Sequence, residues 1–202
     1  MVPYRLMYLL GFAPWERRNV PEAWRPLFEG PDAVEPARAL DIGCGSGRDA
    51  VHLAGRGWQV TAVEFVDKAL ARARQRAAAE GVEVHWVRGD VGELGRLGLE
   101  PGYNFIYDFG CIQGLPDSAR RGAADGLTEL AAPGARLLLL AFKPGRRVAL
   151  PRGMDTDQVL ALLGEGWELE RAESVATADM PPPVRRAEPT LYRLARRSGA
   201  PA

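Results

Sequence analysis

Ala39-Leu-Asp-Ile-Gly-Cys-Gly-Ser-Gly-Arg48 reads as a buried strand that ends in a glycine-rich turn and runs into a helix. The strand is predicted over Ala37 to Ile42. The helix is predicted over Gly47 to Arg56 and closed by Gly57. Glycines at 43, 45 and 47 let the backbone turn tightly and approach a ligand with no Cβ in the way. A dinucleotide turn would be G-x-G-x-x-G, with a pyrophosphate at the helix start. Counted from Gly43, its third glycine falls on Arg48. Asp41, close ahead of the turn, would repel a pyrophosphate and attract a ligand that carries an ammonium group.

Outward from this stretch, strand and helix patterns alternate. Strands are predicted over Trp58 to Glu64, Val82 to Val87, Tyr103 to Asp108, Arg136 to Phe142, Trp167 to Val175 and Thr190 to Ala195. Helices are predicted from Asp67, as cap, to Glu80, from Asp117 to Ala131 with Pro133-Gly134 as the stop, and from Asp155 to Leu163. The expected fold is α/β: a seven-stranded, mostly parallel, Rossmann-like sheet with helices on both faces. No clear helix separates the last two strands, only the Met180-Pro-Pro-Pro183 loop, so an antiparallel edge pair is expected there. Lys68, Arg72, Arg74 and Arg76 fall off the apolar positions of the second helix and read as a solvated face.

With 202 residues, 47% of them apolar and 26% charged, the chain suits a single domain. We expect a core over 37–197 and an N-terminal lid or substrate segment over 1–30. Zero formal net charge offers no electrostatic footprint for nucleic acid or an anionic membrane. No apolar run approaches the roughly 20 residues of a membrane span, and the apolar start lacks the marks of a signal peptide. Cys44 and Cys111 belong to no metal-binding or disulfide pattern. The expectation is a cytoplasmic protein, monomer or homodimer, with no metal, nucleic-acid or membrane partner.

The glycine turn, taken with Tyr103-Asn-Phe-Ile-Tyr-Asp-Phe-Gly-Cys-Ile-Gln-Gly-Leu-Pro116 and Tyr8-Leu-Leu-Gly-Phe-Ala-Pro-Trp15, resembles the class I S-adenosylmethionine-dependent methyltransferases. Within them it resembles the tellurite-resistance and thiopurine methyltransferase-like subgroup. The resemblance implies S-adenosylmethionine as cofactor, S-adenosylhomocysteine as product and a small-molecule acceptor with an O, S or N nucleophile. By position it implies that Gly43, Cys44, Gly45 and Gly47 pass under the methionine part and that Asp41 meets its ammonium. Arg48 would meet the carboxylate, Glu64 both ribose hydroxyls, and Phe65 the adenine face. Asp90 and the Val91 amide would meet the adenine edge. Asp108, Gly110 and Cys111 would lie beside the methionine end and the reactive methyl.

Plainer readings stand beside these: a surface acid for Glu64, a helix cap for Asp90, a helix-surface arginine for Arg48, and packing for both cysteines. Where the family often has a histidine after the fourth strand, this chain has Gln113, which can orient an acceptor but cannot act as a base. His52 and His85 lie in the first helix and third strand, away from the expected cleft. Either the acceptor arrives ionised or another group removes its proton. Tyr4, Tyr8, Trp15, Gln113 and Arg185 are the candidate acceptor contacts, the aromatics suiting a flat molecule. Met7, Phe142, Arg146, Arg147, Met180 and Arg186 lie in the same segments. The alternative function is a protein of this fold that binds the cofactor without methylating, either a cyclase-like enzyme or a non-catalytic partner.

Overall fold

The computed structural model describes residues 33–145, 150–175 and 185–198. Its strands are β1 (Arg38–Ile42), β2 (Gln59–Glu64), β3 (His85–Arg88), β4 (Tyr103–Asp108), β5 (Ala131–Phe142), β6 (Trp167–Ser174) and β7 (Pro189–Arg196). Its helices are α1 (Arg48–Ala54), α2 (Asp67–Glu80), α3 (Asp117–Leu130) and α4 (Thr156–Leu163), with 3-10 turns at Val91–Arg96 and Ile112–Gly114. The strands form one sheet in the order β3-β2-β1-β4-β5-β7-β6.

The pairs β3–β2, β2–β1, β1–β4 and β4–β5 are parallel. Such strands are covered on both faces, which is why Ala39, Leu40 and Ile42 of β1 are fully buried. On one face Ala39, Val60, Ala62 and Phe105 pack with Ala50 and Leu53 of α1. On the other, Leu40, Ile42, Ile106 and Leu139 pack with Leu127 of α3 and Val159 of α4. The chain steps outward from β1 to β2 and β3, then returns to β4 on the opposite side of β1. The β1–β4 crevice is therefore the switch point, where open α/β sheets bind ligands.

The expected antiparallel pair lies at the β5 side of the sheet. β7 inserts between β5 and β6 and runs against both, so β6 at the edge points the same way as β1 to β5. Several elements differ in detail from expectation. α3 passes directly into β5, because Ala131 already pairs with Tyr103; the Pro133-Gly134 step is absorbed by a register shift before Phe105 meets Arg136. Val82 to Val84 precede β3 rather than belonging to it. Asp67 opens α2 as its first residue, with no side-chain cap bond, and instead pairs with Arg88 at 2.6 Å. Among the described residues no helix is long and apolar enough to cross a membrane. Tyr4, Met7, Tyr8, Trp15, Arg146, Arg147, Met180, the Pro181 to Pro183 loop and the 1–30 segment lie outside the described residues.

Candidate functional site

The turn after β1 is built on three left-handed glycines, Gly43, Gly45 and Gly47, with φ of 69°, 55° and 72°. Side chains pay a steric penalty in this region. The amides of Gly43 and Cys44 both donate to the Val63 carbonyl, at 2.8 and 3.0 Å, which ties the turn to the end of β2. A Cβ on Gly43 would lie 2.6 Å from Cys111 Sγ, so the turn after β1 and the loop after β4 meet in direct contact. A Cβ on Gly47 would lie 2.5 Å from the Trp86 ring and 2.6 Å from Ala73 Cβ. Arg76 of α2 donates to the Ser46 carbonyl at 3.2 Å.

Around this turn the fold gathers carboxylates. Asp41 is 2% exposed, and its Oδ2 has no hydrogen-bond partner. Burial, then the nearby Asp49, Asp108 and Glu64, hold its carboxyl well above the usual range. Asp108 at the end of β4 is fully buried and accepts the amides of Cys111 at 2.5 Å and Ile112 at 3.1 Å. Burial outweighs those amides and pushes it up to about 7. Burial also pushes both the Cys44 and Cys111 thiols up. They are not thiolates at neutral pH, which fits the packing reading of both.

Glu64 at the end of β2 is 5% exposed. Its Oε2 accepts from Gly45 N at 3.0 Å, and its Oε1 accepts from Phe65 N and Val66 N, each at 2.9 Å. A carboxylate offers about four acceptor positions, and backbone amides fill three. Glu64 can therefore take two ribose hydroxyls only by releasing an amide. Phe65, beside it, is half-buried against Val66 and Ala69. Asp90 is exposed and caps the Val91–Arg96 turn, its Oδ1 accepting from Gly92 N at 2.8 Å, while Val91 is buried. Arg48 is the half-buried first residue of α1. Arg185 is exposed ahead of β7.

Gln113 differs most from its expected role. It is 1% exposed, and both ends of its side-chain amide bond to β5: Oε1 accepts from Phe142 N at 2.7 Å and Nε2 donates to Leu140 O at 3.5 Å. The amide is thus occupied with backbone rather than open to an acceptor. Gly110, with φ of 87°, makes room for it, since a Cβ there would lie 2.7 Å from Gln113 Nε2. His52 of α1 bonds to Arg56, just past the end of that helix, and His85 is exposed on β3; both sit away from the crevice.

The structure also brings in residues that the sequence did not mark. Asp49 joins the carboxylate group and accepts from the Tyr107 hydroxyl at 3.2 Å, and Trp86 supports Gly47. An acid in the first turn of a helix reads as a dipole partner, which masks Asp49. Trp86 reads as one more apolar strand residue.

Residues 39–134 match the methyltransferase domain family. The ubiquinone biosynthesis O-methyltransferase of Alkalilimnicola ehrlichii is 29% identical over 133 residues, which are 66% of this chain and 53% of that protein. The first curated relatives are matched over only 26%, 53% and 49% of their own lengths. Among solved structures, a TehB-like S-adenosylmethionine-dependent methyltransferase of Corynebacterium glutamicum is similar over 96% of this chain and 94% of its own, with TM-score 0.66 and 20% identity. The Burkholderia thailandensis 1,6-didemethyltoxoflavin-N1-methyltransferase holds 1,6-didemethyltoxoflavin and S-adenosylhomocysteine. It is similar over 81% of this chain and 72% of its own, with TM-score 0.65 and 24% identity. At these identities the solved structures speak for the fold. The family match takes in the glycine turn, the carboxylates and β4, so residues 39–134 are similar to methyltransferase domains, and the sheet has the fold of the solved S-adenosylmethionine-dependent methyltransferases.

Proposed function

We propose that the protein transfers a methyl group from S-adenosylmethionine to an O, S or N nucleophile of a small molecule. The observation that carries this reading is the partnerless, buried Oδ2 of Asp41, set beside a glycine turn at the β1–β4 switch point among Asp49, Asp108 and Glu64. Four carboxylates in one crevice suit a ligand with positive charge, and suit a pyrophosphate badly. Asp41 would hold the ammonium, and the Gly43 to Gly47 turn would pass under the methionine part. Glu64 would take a ribose hydroxyl, and Phe65, Asp90 Oδ2 and Val91 would border adenine. Asp108, Gly110 and Cys111 would border the methyl.

When bound, the cofactor supplies a methyl on a positively charged sulfur, already activated for transfer. The protein's part is to align the acceptor and keep water out. The aromatic N-terminal segment and the loops after β4 and β5 belong to this reading as the acceptor side. So do a single domain and a monomer or homodimer.

A second reading is a cofactor-binding protein that does not methylate. The engagement of Gln113 with β5 favours it, because position 113 then supplies neither a general base nor a free amide to orient an acceptor. Calorimetry with S-adenosylhomocysteine and with NAD tests the donor: we expect binding of the first alone, and binding of NAD alone would overturn both readings. Incubation with methyl-labelled cofactor and a panel of thiols, phenols, amines and carboxylates separates the two. Labelled product supports the methyltransferase, and tight donor binding with no product on any acceptor supports the second reading.

A further inference from the structure

We infer that Gln113 is a positioning residue: its side-chain amide replaces a missing backbone step of β4 and so fixes Phe142, where β5 opens into the acceptor-side loops. The sheet register gives the argument. β4 and β5 pair in parallel from Phe105 with Arg136 to Asp108 with Leu139. β4 ends there, while β5 continues through Leu140, Ala141 and Phe142. One more pair of steps in the same register would set Gly110 opposite Ala141. In a parallel ladder, the residue opposite Ala141 donates to the carbonyl before it and accepts from the amide after it. Those two groups are Leu140 O and Phe142 N.

Gly110 makes neither bond, because the chain turns away at its φ of 87° into the Ile112–Gly114 turn. The Gln113 side chain makes both, through Nε2 and Oε1. A primary amide carries an N–H and a C=O that can point to the same side, as the N–H and C=O of a single strand residue do. Without it, β5 would present an unpaired amide and carbonyl inside the protein. The peptide of Gln113 is held as well, since Arg120 of α3 donates to its carbonyl at 2.6 Å. The lack of a Cβ on Gly110 leaves the volume that the amide occupies.

The residue held this way is a junction. Phe142 O accepts from Met154 N at 2.9 Å, and Lys143 N donates to Ala187 O at 2.9 Å. The stretches after β5 and before β7 therefore both hang from 142–143. That this junction serves an acceptor rests on the proposed methyltransferase function. The ladder itself does not.

Hydrogen exchange of the full-length, ligand-free protein, read at single amides, tests it. In Gln113→Met, which keeps the length and loses both bonds, we expect exchange at Phe142 to rise about tenfold or more. Exchange at Leu138, paired with β4 itself, should stay within about threefold. Gln113→Glu keeps an acceptor for the Phe142 amide and should restore its protection; loss of packing alone would not be mended this way. Gln113→Leu serves as a second apolar variant should the Met protein not fold. Unchanged exchange at Phe142, or equal loosening at Leu138 and Phe142 in both the Met and Glu variants, would overturn the proposal. Calorimetry with S-adenosylhomocysteine reads the donor site separately: an affinity within about threefold of wild type in Gln113→Met is expected. A collapse of that affinity in parallel with Phe142 protection would place Gln113 in the donor site instead. Failure of the wild type to bind S-adenosylhomocysteine would remove the functional reading and leave the exchange result standing.

Discussion

The carboxylate of Glu64, at the end of β2, accepts the amide of Gly45 across the sheet at 3.0 Å, so the acid and the glycine turn are held as one unit. The same carboxylate accepts the amides of Phe65 and Val66. One side chain thus orients both the glycine turn and Phe65, the parts that the proposed function sets under the methionine part and beside adenine. In Glu64→Gln an amide NH2 must face at least one of these backbone donors. We expect a stability loss of about 1–3 kcal/mol in urea denaturation. Calorimetry should show at least a tenfold weaker affinity for S-adenosylhomocysteine. An affinity unchanged in the folded variant would remove Glu64 from the donor site.

Two glycines with nearly the same backbone angle separate strain from crowding. Gly47 has φ of 72° and would place a Cβ against Trp86 and Ala73, whereas Gly81 has φ of 66° and open space around it. Gly81→Ala should cost about 1 kcal/mol, the penalty of the left-handed region alone. Gly47→Ala should cost about 3 kcal/mol, because overpacking adds to that penalty. Equal losses in paired thermal melts would mean that Trp86 yields without cost.

Asp108 sets a pH dependence with a definite sign. Its carboxyl rises from 3.8 to about 7 on folding, chiefly through burial, so between those values the folded state binds more protons than the unfolded. Stability therefore falls as pH rises through that window, by an amount on the order of a few kcal/mol. Burial drives Asp41 in the same direction. A ligand with an ammonium group favours the ionised carboxylates, so its affinity should rise with pH over the same window. Melting of the ligand-free protein from pH 4 to 8, with matching calorimetry on S-adenosylhomocysteine, checks both slopes. A melting temperature that climbs from pH 4 to 7 would contradict the first.

α4 begins with a reciprocal cap. Asp155 accepts from Gln158 N at 2.9 Å, and the Gln158 side chain accepts from Asp155 N at 3.1 Å. Asp155→Ala should cost about 1 kcal/mol. α4 packs on α3, away from the glycine turn, so donor affinity should not move. Urea denaturation measures the first and calorimetry the second.

The parts of the site legible in the sequence are those set by strand ends. Asp41 stands one residue before the end of β1 and Glu64 ends β2, so their place at the crevice follows from the alternation of strands and helices. The depth of Asp108 follows likewise from Tyr103 to Asp108 being a strand between buried neighbours. Gln113 was not legible, because its partners are 27 and 29 positions away and its role depends on where β4 stops relative to β5. Asp90 shows a different limit. An acid two positions before a glycine fits a cap and an adenine contact equally well; the structure displays the cap through Oδ1 and leaves the second oxygen to the adenine proposal. The start of β5 was misread because Pro133-Gly134 usually stops an element, and here a register shift accommodates it.

The place of β7 bears on how the chain is made. β6 is synthesised before β7, yet β7 is the strand it pairs with, and β5 presents the same open side until β7 arrives. A ribosome working from the N-terminus thus releases two unpaired edges that a single late segment must close together. Until then those edges are a template for pairing with another chain. The blank edge of β5 is apolar, with Leu137 to Ala141 buried in the finished sheet. β7 therefore acts as a seal on the nascent protein, and a chain that stops short of it is the form most exposed to aggregation.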